Sequence, residues 1–288
     1  MRQSNSYIIF FSIGLTVVLG GLLALAATAL KPAQQASVKL DTQKQILSAV
    51  MDIQSLEPAQ VEKVYADQIA SLIINAQGEE VTTNAKGETV QAEKVDIRKE
   101  FKKISNASKL SAEAAELEAA GNAEKAKAKK DEAAALMSEV LLPVFRFKPS
   151  ADAADFTAYI LPTYGNGLWN NIWGYVALKS DMNTIAGISL DHVGETPGLG
   201  ARITEGEVQS RYEGKTIYDN GKLVSVTMVK GENNTGLNEH QVDGMSGATL
   251  TANGVNAMLQ LYLQSYQPYL EKVKGGAEAP KTGMAIAE

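Results

Sequence analysis

Tyr7 to Leu30 is a run of 24 residues without one charged side chain, near the start of a chain of 288 residues. A helix rises about 1.5 Å per residue, so the run would cover roughly 36 Å, more than the ~30 Å hydrocarbon layer of a bilayer. The sequence therefore predicts a single transmembrane helix over residues 7–30, after an N-terminal tail at residues 1–6. The competing reading is a cleaved signal peptide, with a small-residue cleavage site near Leu25–Ala29, but the run is long for that role. Gly20, Ala24 and Thr28 recur every four residues. That spacing either marks a face for another helix or is an accident of a Gly/Ala-rich anchor. Arg2 lies on one side of the run and Lys31 on the other. The positive-inside rule then favours a cytoplasmic N-terminus and a soluble portion on the outer side of the membrane.

Beyond the anchor, the chain is long enough for one or two domains with proper cores. Its net charge of −6 argues against a broad nucleic-acid surface. There is no cysteine, which excludes disulfides, thiolate nucleophiles and cysteine-ligated clusters. Only two histidines occur, His192 and His240. Redox chemistry in such a chain needs an organic cofactor. His192 beside Asp191 is too little for a metal site, so no metal ligands are assigned. No dinucleotide fingerprint, P-loop or Ser-His-Asp arrangement stands out, and no catalytic residue is assigned.

Residues 31–143 read as a region of helix and strand. Ile46, Leu47, Val50 and Ile53 suit an amphipathic helix, and so do Val61, Val64, Ile69, Leu72 and Ile73 between Gln60 and Ala76. Residues 78–96 carry turn signals and alternation, and read as strand or hairpin. Ala, Glu and Lys dominate residues 108–139, a composition of high helix propensity, interrupted at Gly121-Asn122. This predicts an inserted helical hairpin with Asn122 capping its second helix. Its charged faces are either simply solvated or serve as a partner-binding arm.

From residue 144 to 274 the pattern changes to short apolar runs divided by Gly, Asn and Asp, which read as an antiparallel sheet. Ser225–Val229 reads as a further strand, and residues 201–218 as containing a helix. Val255, Met258, Leu259, Tyr262 and Tyr266 fall on one face of a clear amphipathic helix. Residues 275–288 read as a disordered tail. The fold class expected is α+β: one transmembrane helix, then an antiparallel sheet with packed helices and a helical insertion.

Three segments carry the chemistry. Asp243-Gly244-Met245-Ser246-Gly247-Ala248-Thr249-Leu250-Thr251 is a small-residue loop feeding that amphipathic helix. Backbone N–H groups there can approach an anion, and a helix start favours one. Taken on physics alone, the segment is either a phosphate site with Thr249 as its hydroxyl or a plain junction with Thr251 as the helix cap. Gly194-Glu195-Thr196-Pro197-Gly198-Leu199-Gly200 is a turn-rich loop with one apolar side chain between glycines. Gly167-Leu168-Trp169 precedes Gly174-Tyr175-Val176-Ala177-Leu178.

Together these segments resemble the FMN-binding domain family, and within it the branch formed by the C subunits of sodium-translocating NADH:quinone oxidoreductases. The resemblance covers the anchor in outline and residues ~144–272 in motif detail. It implies FMN joined by a phosphodiester to Thr249, with Ser246, Gly247 and Ala248 in the attachment motif and a magnesium-dependent flavin transferase as the maturation partner. It also implies that Thr196 and Leu199 touch the flavin and that Gly198 lets the backbone approach. Trp169 either flanks the flavin or is a core residue; Lys230 either lies near the flavin or is a solvated surface lysine. The implied function is electron relay within a membrane complex, with NADH oxidation, quinone reduction and sodium transport in partner subunits. Three alternatives stay open: the G subunit of an Rnf-type electron transport complex, a stand-alone extracellular flavoprotein reductase, and a non-redox structural or assembly anchor.

Overall fold

A computed structural model describes residues 4–276. The expected tail, all but its first two residues, lies outside them, as do residues 1–3 of the expected N-terminal segment. The chain divides into two units, Met1–Lys44 and Gln45–Glu288.

The first unit is helical. Helix α1 spans Asn5–Ser48 and runs on well past the apolar stretch into the second unit. Its large apolar side chains from Tyr7 to Leu30 are exposed, the state expected of a helix surrounded by lipid. It is long and apolar enough to cross a membrane. The expected amphipathic continuation ends at Ser48, so Val50 and Ile53 lie beyond the helix.

The second unit is built on a five-stranded antiparallel meander, β1 (Ile69–Ile74), β2 (Leu142–Phe147), β3 (Ala158–Asn166), β4 (Asn171–Lys179) and β5 (Ile185–His192), in chain order. The register sets Tyr164 opposite Trp173 and Gly174 opposite Leu190, with a bulge at Ala177/Leu178. Helix α2 (Pro58–Gln68) leads directly into β1. The reading of residues 60–76 as one helix is thus corrected. Ile69, Leu72 and Ile73 do fit a helical period, but Ile69 takes an extended conformation and the run pairs with β2. Its β-branched residues pack well on a pleated surface, and the neighbouring strand decides the outcome.

Between β1 and β2 stands a hairpin of two helices, α3 (Ile97–Ala119) and α4 (Ala123–Ser138). It begins eleven residues earlier than the composition shift at Ser108, because Asp96 accepts from Arg98 N–H and starts the helix there. Asn122 holds the cap position of α4, but its side chain makes no capping bond; only its carbonyl takes up Ala126 N–H, at 3.0 Å. Residues 78–96 form turns with isolated bridges and a short 3-10 helix at Ala92–Lys94, rather than a regular hairpin.

After β5 come a 3-10 helix at Gly200–Thr204 and the short helix α5 (Gly206–Ser210). Two small ladders follow, β6 (Tyr218–Asp219) with β7 (Lys222–Leu223), and β8 (Thr227–Met228) with β9 (Gln241–Val242). The strand read at Ser225–Val229 is only two residues long, and its partner β9 runs parallel to it. Helix α6 (Thr249–Lys274) lays Val255, Met258, Leu259, Tyr262, Tyr266 and Leu270 into the core. Tyr266 is fully buried and donates its hydroxyl to Pro143 O at 2.8 Å, which pins α6 to the sheet. The sheet and α6 together present the first turn of α6 beside the turns after β3 and β5.

Candidate functional site

The loop before α6 is held open by its own backbone. Gly247 takes φ +73°, a region that favours glycine, and Met245 is buried beneath it. Ala248 occupies the cap position without a side-chain hydrogen bond, and Thr249 is the first helical residue. The first N–H groups of a helix have no partner within it. Among the described residues the N–H groups of Thr249, Leu250 and Thr251 have no acceptor, so this helix end is a ready seat for an anion. Thr251 is not the cap. It lies inside the first turn, 1% exposed, and its hydroxyl donates to Glu195 Oε2 at 2.5 Å.

Two loops close around this end. Glu195, 4% exposed, accepts the Trp169 N–H at 2.9 Å, and its own N–H donates to His192 Nδ1 at 3.2 Å. Burial opposes its charge, but donation from Thr251 and from the amides of the Trp169 turn outweighs that and holds the carboxyl below its usual range. Two glycines make the room. A Cβ on Gly200 would run into Thr251 Oγ1 and, at 2.7 Å, Glu195 Oε2; one on Gly167 would collide with the same carboxylate. Trp169 then stands out at the surface, 69% exposed, with its indole N–H donating to Thr196 Oγ1 at 3.1 Å.

The result is a hollow of about 170 Å³ lined by Leu168, Glu195, Thr196, Leu199, Gly200 and the residues from Gly247 to Thr251. Leu168, Trp169, Leu199 and Leu250 are all substantially exposed around it. Such a cluster of exposed apolar groups marks a binding surface rather than a core.

Beneath the loop lies an ion-pair network. Arg202 grips Glu232 with two bonds, at 2.7 and 3.1 Å. Arg211 reaches Glu207 at 2.8 Å and Glu232 at 3.3 Å, and donates to the carbonyl oxygens of Asp243 and Gly244. Asp243 accepts from the N–H groups of Asn233 and Asn234. These bonds fasten residues 232–234 to the strand end that enters the Ser246–Thr249 loop.

Of the residues singled out in the sequence, Thr196, Leu199, Gly247, Ala248 and Thr249 line the hollow. Ser246 and Gly198 are exposed beside it, and Trp169 stands at its rim rather than in the core. Lys230 is exposed and does not line it. The sequence reading had no role for Glu195, Arg202, Arg211 or Glu232, and offered Thr251 only as a helix cap. Glu195 lay in plain view in the Gly194–Gly200 loop, but only the fold shows that it is buried.

These residues fit FMN. The amides at the start of α6 suit its phosphate, the exposed apolar side chains suit a flat ring, and the glycines keep Cβ atoms out of the way. The hollow is smaller than the roughly 300–1,000 Å³ of pockets that enclose a ligand of drug size. A ligand of flavin size held here keeps part of its surface in the open.

Comparison with known proteins agrees. Residues 167–264 match the family model for the FMN-binding domain. The chain is 32% identical over 269 residues to the C subunit of the Na(+)-translocating NADH-quinone reductase of Vibrio parahaemolyticus, covering 92% of this chain and 93% of the relative. It is 30% identical to the equivalent protein of Pasteurella multocida, over 93% of each. Among solved structures, it is similar to the C subunit of the same reductase from Parabacteroides distasonis (TM-score 0.61, 29% identity, 84% of this chain and 96% of that one). It is also similar to Shewanella oneidensis NqrC (TM-score 0.59, 25% identity, 83% and 99%). With both fold and near full-length sequence shared, the chain belongs to the C-subunit family of the Na(+)-translocating NADH-quinone reductases.

Proposed function

We propose that this chain is the membrane-anchored, FMN-carrying subunit of a sodium-translocating NADH:quinone reductase, with FMN held covalently on Thr249. The observation that carries the reading is the place of Thr249. It is the first residue of α6, it lines the hollow, and unpaired amides surround it. FMN, when bound, supplies reversible electron transfer. Thr249 Oγ1 would form the bond to the flavin's phosphorus, giving up its proton, as the phosphorus–oxygen bond to the activating group of a flavin nucleotide breaks and that group departs with the oxygen. The flavin transferase that brings that nucleotide is the maturation partner. The α6 amides steady the phosphate, with Ser246, Gly247 and Ala248 as the small residues that let it approach. Trp169, Leu168, Leu199 and Leu250 offer the ring an apolar shelf, and Gly198 and Thr196 shape the loop beneath it.

No proton-transfer residue is assigned in the hollow, in keeping with an electron relay; NADH oxidation, quinone reduction and sodium movement belong to other members of the complex. Helix α1 anchors the chain in the inner membrane, and the second unit faces the outer side. The covalent bond keeps the cofactor in place at an open site, away from the cytoplasmic pool. Lys230 is exposed and does not line the hollow, which supports reading it as a solvated surface residue. The match to the reductase's C subunits over nearly the whole chain favours this reading over the G subunit of an Rnf-type complex.

The test is intact mass of the full chain co-produced with a flavin transferase, beside Thr249→Ala. The wild type gains the mass of FMN minus water and the variant gains nothing. A wild type that stays colourless and unmodified beside an active transferase would leave a non-redox assembly anchor as the better account.

A further inference from the structure

Among the described residues Glu195 is the one charged side chain that lines the hollow, and it is buried. A buried charge is tolerated only when donors match it. Its two oxygens find them on two separate elements: Oε1 on the Trp169 N–H and Oε2 on the Thr251 hydroxyl of α6. The carboxylate is therefore the tie between the turn that carries the indole and the helix end that carries Thr249. Among the described residues no lysine or arginine lines the hollow. The nearby guanidinium groups of Arg202 and Arg211 are engaged with Glu205, Glu207, Glu232 and main-chain carbonyls.

Resting on the flavin reading above, we infer that Glu195 is a positioning residue that locks the Trp169 turn to the flavin-bearing end of α6 and sets a fixed negative charge beside the flavin. It acts through place and charge. A negative charge near the ring opposes the arrival of an electron, and among the described residues no cationic side chain lines the hollow, so only hydrogen-bond donors and the start of α6 offset it, and only in part. The reduction potential therefore lies lower than it would over a neutral side chain of the same shape.

Three variants of the full-length chain, co-produced with the flavin transferase, separate the two parts. Glu195→Gln keeps the shape. Its amide oxygen still accepts from Trp169 N–H, and the Thr251 hydroxyl can turn to accept from its NH2. Glu195→Ala removes tie and charge together, and Thr251→Val removes only the link to α6. Mass spectrometry reads flavin attachment, a redox titration reads the potential, and hydrogen exchange of residues 168–171 reads the turn. In Glu195→Gln the flavin is attached, the turn exchanges more slowly than in the alanine variant because its hydrogen bond is kept, and the potential moves in the positive direction. In Glu195→Ala and Thr251→Val the turn exchanges faster, in the alanine variant on the order of tenfold or more, because a charge-assisted bond is lost. If Glu195→Ala does not fold, the other two still decide. Flavin attached in Glu195→Gln with an unmoved potential, or unchanged exchange in Thr251→Val, overturns the role of Glu195 and leaves the flavin reading standing. A wild type without the flavin mass sinks both.

Discussion

Arg202 and Arg211 hold Glu232 between them, and this arrangement has a measurable acid signature. Pairing with Arg202, against the opposing effect of burial and with further help from Arg211, moves the Glu232 carboxyl from 4.5 down to about 2. A carboxyl whose folded value is depressed contributes stability that is fully present above its unfolded value and is lost as pH falls through the folded one. The contribution of Glu232 therefore fades between about pH 4.5 and about pH 2. Thermal melts of Glu232→Gln should start lower than wild type at neutral pH and converge with it across that window. A constant gap down to pH 2 would show that the pairing does not govern acid stability. At this scale the sequence was partly legible. Thr249, Thr196 and Leu199 could be picked out because their motifs are contiguous. Glu232 and Arg211 stand 21 residues apart and meet only through the fold.

Helix α6 joins the site to the core, because one end carries Thr249 and the middle fills the space over the sheet. Its 3.6-residue period was readable since the apolar positions face a single layer. The strand β1 was not, because its spacing satisfies a helix as well and only pairing with β2 resolves it. Leu259 is 1% exposed in the middle of α6. Truncating it to alanine should cost about 2–5 kcal/mol, as for other buried leucines, and lower the melting temperature of the full chain. Flavin attachment to the folded fraction should persist, since Leu259 lies apart from the hollow. Loss of attachment with an unchanged melting temperature would contradict that division between core and site.

For the molecule as a whole, the division at Lys44/Gln45 suggests that anchoring and cofactor binding are separable. The second unit contains the whole sheet, α6 and the hollow, with its own buried core. A chain lacking residues 1–44 should be recovered without detergent and should still gain the flavin mass when the transferase is present. Failure to fold would show that the first unit supplies more than an anchor. In the sequence the uncharged run stood apart from a mixed remainder read as two regions, 31–143 and 144–274; β1 from the first of these pairs with β2 in a single sheet. The five-strand meander was legible only in kind, since strand order is set by packing between distant runs.

The fit of Gly167, Gly200 and Thr251 around Glu195 also bears on how the family can vary. A methyl group on either glycine collides with the carboxylate, and an alanine at 195 leaves Thr251 and the Trp169 amide facing an empty space. Substitutions at positions in contact do not add independently. Change at this corner of the protein is therefore epistatic: a lineage that loses the hydrogen-bonding side chain at 195 has to alter several of these positions together, whereas glutamine, which keeps the shape, can replace it alone.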